Sequence, residues 1–269
     1  MKFSERTILG KTGLKVGRLG LASSYKAPAT AFEEAFERGC NYFVWNTFIR
    51  GRSPRMRDAI RNIVKSGRRE QLVIAMHCYG HSAAINRYYF LRSLKTLGVD
   101  YIDIMLLGYH PRKPAGKELE GAMKLREQGL TRFIGITGHN RKLFPQLDAE
   151  DLLDVFHVRY NAVNRGAEID VFPLLKKEGR AGIVTFTATR WGQLLNPKKM
   201  PEGESPVIAA DCYRFALSHP AVDVCLTAPS TLEQLRENLC VLDLGPLDEE
   251  EMTRIRRIGD YIYGKKRDY

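Results

Sequence analysis

Short, nearly all-apolar segments rich in β-branched and aromatic residues alternate with stretches of helical spacing along the whole chain. The apolar segments fall at Tyr42 to Asn46, Leu72 to His77, Tyr101 to Leu107, Phe133 to Thr137, Val155 to Tyr160, Ile183 to Ala188 and Val222 to Thr227, and Arg18 to Ser23 adds an eighth at the front. Strands this continuously hydrophobic are buried on both faces, as in a parallel sheet covered by helices. Eight such strands with intervening helices in 269 residues make the pattern of a single (β/α)8 TIM barrel. Ahead of it, Arg6 to Val16 reads as a β-hairpin turning at Gly10-Lys11-Thr12-Gly13 and placed to plug the barrel's lower end. No segment has linker composition, so one domain over residues 1–269 is expected.

Helix punctuation agrees. Gly39, Gly98, Gly129 and Gly179 each close a helical stretch just before a strand, where glycine takes the left-handed conformation at least cost. Ser53-Pro54 is an N-cap followed by proline at the first helical position. Ser230-Thr231-Leu232-Glu233 has capping-box spacing, with Ser230 as the expected cap. From Ser82 to Leu97 the spacing puts Ile85, Tyr88, Tyr89, Leu91, Leu94 and Leu97 on one expected buried face.

Lys and Arg number 42 against 31 Asp and Glu, a formal net charge of +11. The basic residues come as scattered groups, such as Arg68-Arg69, Lys176-Lys177 and Lys265-Lys266-Arg267. A nucleic-acid groove wants clustering with interleaved aromatics, so nucleic acid is not expected as a partner, and the charge better suits a small anionic substrate. No apolar run reaches the roughly 18 residues of a bilayer span, and the N-terminus lacks the apolar core of a signal peptide. A cytoplasmic protein with no membrane partner is therefore expected, and nothing in the sequence sets an oligomeric state. Cys40, Cys78, Cys212, Cys225 and Cys240 are odd in number, show no zinc-knuckle or redox spacing, and read as small buried hydrophobes.

Several motifs, in order, resemble the aldo/keto reductase superfamily over nearly the whole chain. Leu9-Gly10-Lys11-Thr12-Gly13-Leu14-Lys15-Val16 with Arg18-Leu19-Gly20-Leu21 is similar to the family's hairpin and first strand. Ser93-Leu94-Lys95-Thr96-Leu97-Gly98-Val99-Asp100-Tyr101-Ile102-Asp103 is similar to its third helix and fourth strand. Ile134-Gly135-Ile136-Thr137, Tyr160-Asn161 with Asn164-Arg165, and Leu232-Glu233-Gln234-Leu235-Arg236-Glu237-Asn238-Leu239 follow at the family's spacing. The resemblance implies carbonyl reduction with NADP(H) or NAD(H), a tyrosine giving the proton beside a lysine and an aspartate while a histidine orients the carbonyl. This chain departs at those positions: Val44 or Asn46 stands for the aspartate, Arg50-Gly51 for the tyrosine-glycine pair, His77 for the lysine and Gly108 for the histidine. An oxidoreductase with a non-standard proton donor is the first reading; a lyase, isomerase or cyclase on the same barrel, or a non-catalytic binding protein, remain open.

Barrel active sites sit at the C-terminal strand ends, where the sequence places Tyr25, Asn46, Arg50, His77, Tyr109, His110, His139, Tyr160, Asn161 and Arg190. Histidine titrates near neutral pH, so His77 is the leading candidate donor, with Tyr109 or His110 at the carbonyl and Asn46 beside them. Plain loop hydrogen bonding would also explain each histidine. A metal held by His77, His110 and His139 lacks diagnostic spacing, and no metal is assigned. The resemblance implies cofactor contacts at Thr137, His139, Asn161, Phe186, Arg190, Ser230, Gln234 and Asn238. Trp45 and Trp191 either line the cavity or pack its rim. Arg50, Arg52, Arg55 and Arg190 would suit an anionic compound.

Overall fold

Apolar strands need partners on both sides, and here they find them in a ring. The computed structural model describes residues 2–23, 26–47 and 54–264. Among these, the strands β1 (Thr7–Ile8), β2 (Lys15–Val16), β3 (Leu19–Ala22), β4 (Tyr42–Asn46), β5 (Val73–Cys78), β6 (Ile102–Leu107), β7 (Thr131–Gly138), β8 (Val155–Arg159), β9 (Gly182–Phe186) and β10 (Val224–Thr227) follow one another along the chain. β3 to β10 pair in parallel in sequence order, and β10 closes on β3 to make an eight-stranded barrel. The helices are α1 (Ala29–Glu37), α2 (Pro54–Lys65), α3 (Ala83–Leu97), α4 (Gly116–Glu127), α5 (Leu143–Ala149), α6 (Ala167–Asp170), α7 (Ala209–Leu217), α8 (Leu232–Leu239) and α9 (Glu249–Gly264). No described helix is long and apolar enough to cross a membrane.

Alternation along each strand divides the core in two. Tyr42, Val44, Val73, Ala75, Ile104, Val155, Val184 and Val224 fill the barrel's interior, while Phe43, Trp45, Ile74, Met76 and Phe156 face the helices. The hairpin β1–β2 plugs the floor: Leu9 joins the interior cluster, and Lys11 donates its backbone N–H to Arg180 O at 2.9 Å.

The floor is also clasped by polar side chains in a fourfold pattern. Asn41 Oδ1 accepts from Gly17 N at 2.9 Å, Asp103 Oδ2 from Ile74 N at 2.9 Å, Asp154 Oδ2 from Ile134 N at 2.9 Å and Asp223 Oδ2 from Ile183 N at 2.8 Å. Each clasp joins the lower ends of one strand pair: β3 with β4, β5 with β6, β7 with β8, and β9 with β10. The charges are balanced locally, since Arg69 and Arg132 reach Asp103 and Arg180 grips Asp223 with two bonds.

Some local expectations are corrected. On α3 the buried residues include Asn86, Phe90, Ser93, Leu94 and Leu97, while Ile85 and Tyr88 are exposed. The polar Asn86 takes an inward position because its amide bonds Gly80 N and Glu118, which rotates the helix away from its most apolar stripe. Thr231, not Ser230, caps α8 by accepting from Gln234 N at 3.2 Å. Cys240 is exposed; the other four cysteines are buried, and all five are free thiols. Ser53 lies outside the described residues.

Candidate active site

The upper ends of β4 and β5 pair in register, with Asn46 beside His77. Alternation points both into the barrel mouth, one step above Val44 and Ala75. His77 Nδ1 lies 2.9 Å from Asn46 Oδ1, and the hydroxyl of Tyr79 lies 3.0 Å from the same oxygen and 3.2 Å from His77 Nδ1. Asn46 Nδ2 donates to Ser23 Oγ at 2.5 Å, which orients its amide. Because an amide oxygen only accepts, the tautomer that fits carries its hydrogen on His77 Nδ1. Nε2 is then a bare acceptor, and it is fully covered without a hydrogen-bond partner.

Below His77 lies His157, ring to ring at 5.9 Å, with its Nε2 bonded to Tyr42 Oη at 2.9 Å. Burial pushes His77 down to about 4 and His157 well below the ordinary imidazole range. Both rings are therefore neutral at pH 7. The unfolded chain binds protons on these rings near the ordinary 6.5, so native stability is present above that pH and is lost as pH falls towards 4. For His77 alone the loss below pH 4 is expected to be about 3 kcal/mol. Urea midpoints at pH 7 and pH 4.5 check this; a midpoint independent of pH over that range would mean the rings are not held neutral by burial.

An arc of aromatic rings runs from this cluster across the mouth. Tyr79 stacks on Tyr109 (6.2 Å, 19°), Tyr109 meets His139 at 5.3 Å, and His139 meets Phe186 at 6.1 Å. Beyond Phe186 opens a cleft of about 340 Å³ lined by Thr187, Thr189, Trp191, Tyr213 and Thr227 among others, none of them acidic. Of the five non-glycine residues with positive φ among the described residues, four border this region: Tyr109 (43°), Thr187 (59°), Arg190 (54°) and Trp191 (52°). Such conformations cost on the order of 1 kcal/mol each and gather at functional sites. Arg190 is buried with its Nε unpartnered and its guanidinium 4.7 Å from the Trp191 ring. Arg159, at the end of β8, lowers the proton affinity of both His139 and Arg190, after burial as the larger cause.

The predicted residues divide. Asn46, His77, Tyr109, His139, Phe186 and Arg190 come together around the mouth. His110 turns away from it, buried against Glu118 and His81. Thr137 is buried in β7, its carbonyl accepting from His110 N. Asn161 braces its own loop, accepting from Val163 N and Asn164 N and donating to Thr187 O. Ser230 N donates to Gln234 Oε1, and Asn238 donates to Thr227 Oγ1. Tyr160 points outward into the helix-side core and bonds Glu168 at 2.6 Å. Trp45 likewise faces the helices rather than the cavity, while Trp191 stands on the rim, 67 % exposed. Tyr25, Arg50 and Arg52 lie outside the described residues. Tyr79 and His157 had no motif to announce them: one sits in a loop, the other inside an apolar strand.

A model of the aldo/keto reductase family matches residues 13–207 and 198–260. The chain belongs to the aldo/keto reductase family. Among curated relatives it is 26 % identical to L-galactose dehydrogenase of Arabidopsis thaliana, over 94 % of each chain. It is 23 % identical to the NADH-specific methylglyoxal reductase of Escherichia coli, over 63 % of each. Among solved structures, the holo form of an aldo-keto reductase from Bacillus halodurans superimposes with a TM-score of 0.79 at 20 % identity, covering 94 % of this chain and 96 % of that one. The (β/α)8 fold is thus that of an aldo/keto reductase with oxidoreductase relatives.

Proposed function

We propose that the chain is an NAD(P)(H)-dependent oxidoreductase that interconverts a small carbonyl compound and its alcohol, with Tyr79 standing in for the family's usual proton donor. The observation that carries this reading is the Asn46–His77–Tyr79 cluster, joined by an arc of aromatic rings across the mouth to an acid-free cleft. A bound nicotinamide supplies or accepts the hydride. The cleft suits it: Phe186 and Trp191 offer flat faces, and behind Trp191 the guanidinium of Arg190, its Nε unpartnered, lies 4.7 Å from that ring. Asn46 Oδ1 holds Tyr79 and His77 in one plane of contacts, so the phenol is oriented before substrate arrives. Tyr79 donates its proton to the forming alkoxide, and His77 Nδ1–H turns its hydrogen bond toward the phenolate left behind. His77 is a positioning residue, because burial leaves it uncharged at neutral pH. Arg159 and Arg190 favour an anionic group on the substrate or cofactor.

The cofactor half favours NADH over NADPH. Arg236, the one basic residue of α8, is held by both carboxylate oxygens of Glu34 at 2.8 and 2.9 Å. Ala228-Pro229-Ser230 adds no cation for a 2′-phosphate. The name of the Escherichia coli relative, an NADH-specific reductase, points the same way. Titration with each nucleotide, read by quenching of the rim-exposed Trp191, is expected to give micromolar NADH binding and NADPH at least about tenfold weaker. No quenching by either up to millimolar concentration would sink the oxidoreductase reading and return the site to non-redox chemistry or plain binding.

A further inference from the structure

We propose that His81, His110 and Glu118 form a binding site for a divalent transition-metal ion, independent of the nicotinamide cleft. Their three ligand atoms all lie within 4.8 Å of one another. Glu118 and His110 are 3 % and 5 % exposed, so both donors are held inside the protein, whereas His81 is exposed and gives an ion a way in.

The contact between Glu118 and His110 is the telling one. Their Oε1 and Nε2 atoms are 3.2 Å apart, yet Nε2 has no hydrogen-bond partner because the direction is wrong for a shared hydrogen. Two ligands bound to one zinc ion at roughly 2.0–2.2 Å each stand roughly 3–3.5 Å apart without a hydrogen between them. Among the described residues no lysine or arginine pairs with Glu118, and a buried carboxylate without a cation is costly. Two imidazoles and one carboxylate are a donor set suited to zinc and its neighbours, with a coordination position left open.

The surroundings hold the ligands in place. Asn86 Nδ2 donates to Glu118 Oε1 at 3.3 Å, and its own Oδ1 accepts from Gly80 N at 2.9 Å. His110 N donates to Thr137 O at 3.1 Å, and a Cβ at Gly138 would fall 2.6 Å from His110 O, so the loop sits directly on β7. Supporting contacts of this kind fix ligand orientation at metal centres. An ion here would staple the loop after β5 to the loop after β6. His81 lies two residues beyond Tyr79 and His110 one beyond Tyr109, so the staple would brace the stacked tyrosines of the mouth.

Calorimetric titration of the chelator-treated full chain with zinc, repeated with cobalt to read its visible spectrum, tests this. One ion per chain is expected, with the strong absorbance of low-coordinate cobalt and a zinc-dependent rise in melting temperature. His81→Ala, at an exposed position that leaves the core intact, is expected to weaken binding by about 100-fold or more, as is Glu118→Gln. No binding by the unsubstituted chain up to about millimolar zinc, or equal affinity in His81→Ala, overturns the proposal and leaves a plain buried His–Glu pair. If Glu118→Gln fails to fold, the His81→Ala comparison alone decides.

Discussion

Tyr79→Phe is expected to lower kcat for carbonyl reduction by roughly 100- to 10,000-fold, the usual worth of a placed general acid, while NADH affinity stays within about twofold. The substitution removes one oxygen from a ring that keeps its stacking on Tyr109, so the mouth's shape is preserved. What is lost is the proton that Asn46 and His77 aim. His77→Ala removes an orienting contact instead, and its loss is expected to be smaller, about tenfold. Because His77 is pushed down to about 4, it keeps one protonation state between pH 5 and 8 and should impose no break in the rate over that range. Steady-state kinetics on a panel of short aldehydes with NADH give both numbers. A Tyr79→Phe enzyme within threefold of the unsubstituted one would remove Tyr79 from the chemistry.

The largest effect on stability is expected at the barrel floor. Asp223 is 4 % exposed and serves three groups at once: both terminal nitrogens of Arg180 and the backbone N–H of Ile183. Arg180 is itself largely covered, and its proton affinity is raised chiefly by the hydrogen bonds it donates to Asp223. Replacing Asp223 by alanine leaves the Arg180 guanidinium with Ala181 O as its acceptor and no counter-charge, and removes the side-chain acceptor of the buried Ile183 N–H. Such losses typically cost 3–5 kcal/mol, and about 3 kcal/mol is expected here because Arg180 keeps partial contact with water. Asp223→Asn should cost less, since its oxygen still serves Ile183. Urea unfolding with the slope held in common measures both; a loss under about 1 kcal/mol for Asp223→Ala would mean the clasp is not a structural element.

The ring of strands was legible because burial on both faces leaves long apolar runs that no other placement explains, and the glycines before β4, β6, β7 and β9 reinforced them. Asn46 and His77 were legible as candidates for the same reason: each is the first polar residue after an inward-facing apolar run. Their partners were not. Tyr79 comes directly after β5, in step with Val73, Ala75 and His77, but it lies past the end of the apolar run that marks the strand. His157 looks like any interruption within Val155 to Tyr160, and only closure of the ring brings it under His77. Asp103 reads in sequence as a blemish in a hydrophobic run, yet its side chain meets Arg69, Arg132 and Ile74 N once two strands lie side by side. His110 shows the converse: its place at a strand end suggested the mouth, but the loop turned it outward toward Glu118. For Trp45, open between cavity lining and packing, alternation decides for packing, since its neighbours Val44 and Asn46 are the ones that face inward.

The four floor clasps divide the barrel into quarters, each a pair of strands tied at its base by its own side chain. A chain interrupted between β6 and α4 would sever none of them: one fragment keeps the clasps of Asn41 and Asp103, the other those of Asp154 and Asp223. The molecule is in this respect modular, two half-shells that meet at the β6–β7 and β10–β3 pairings, each with two clasps of its own. A break at that point would leave the side-chain ties of the floor whole while parting the loops that shape the mouth.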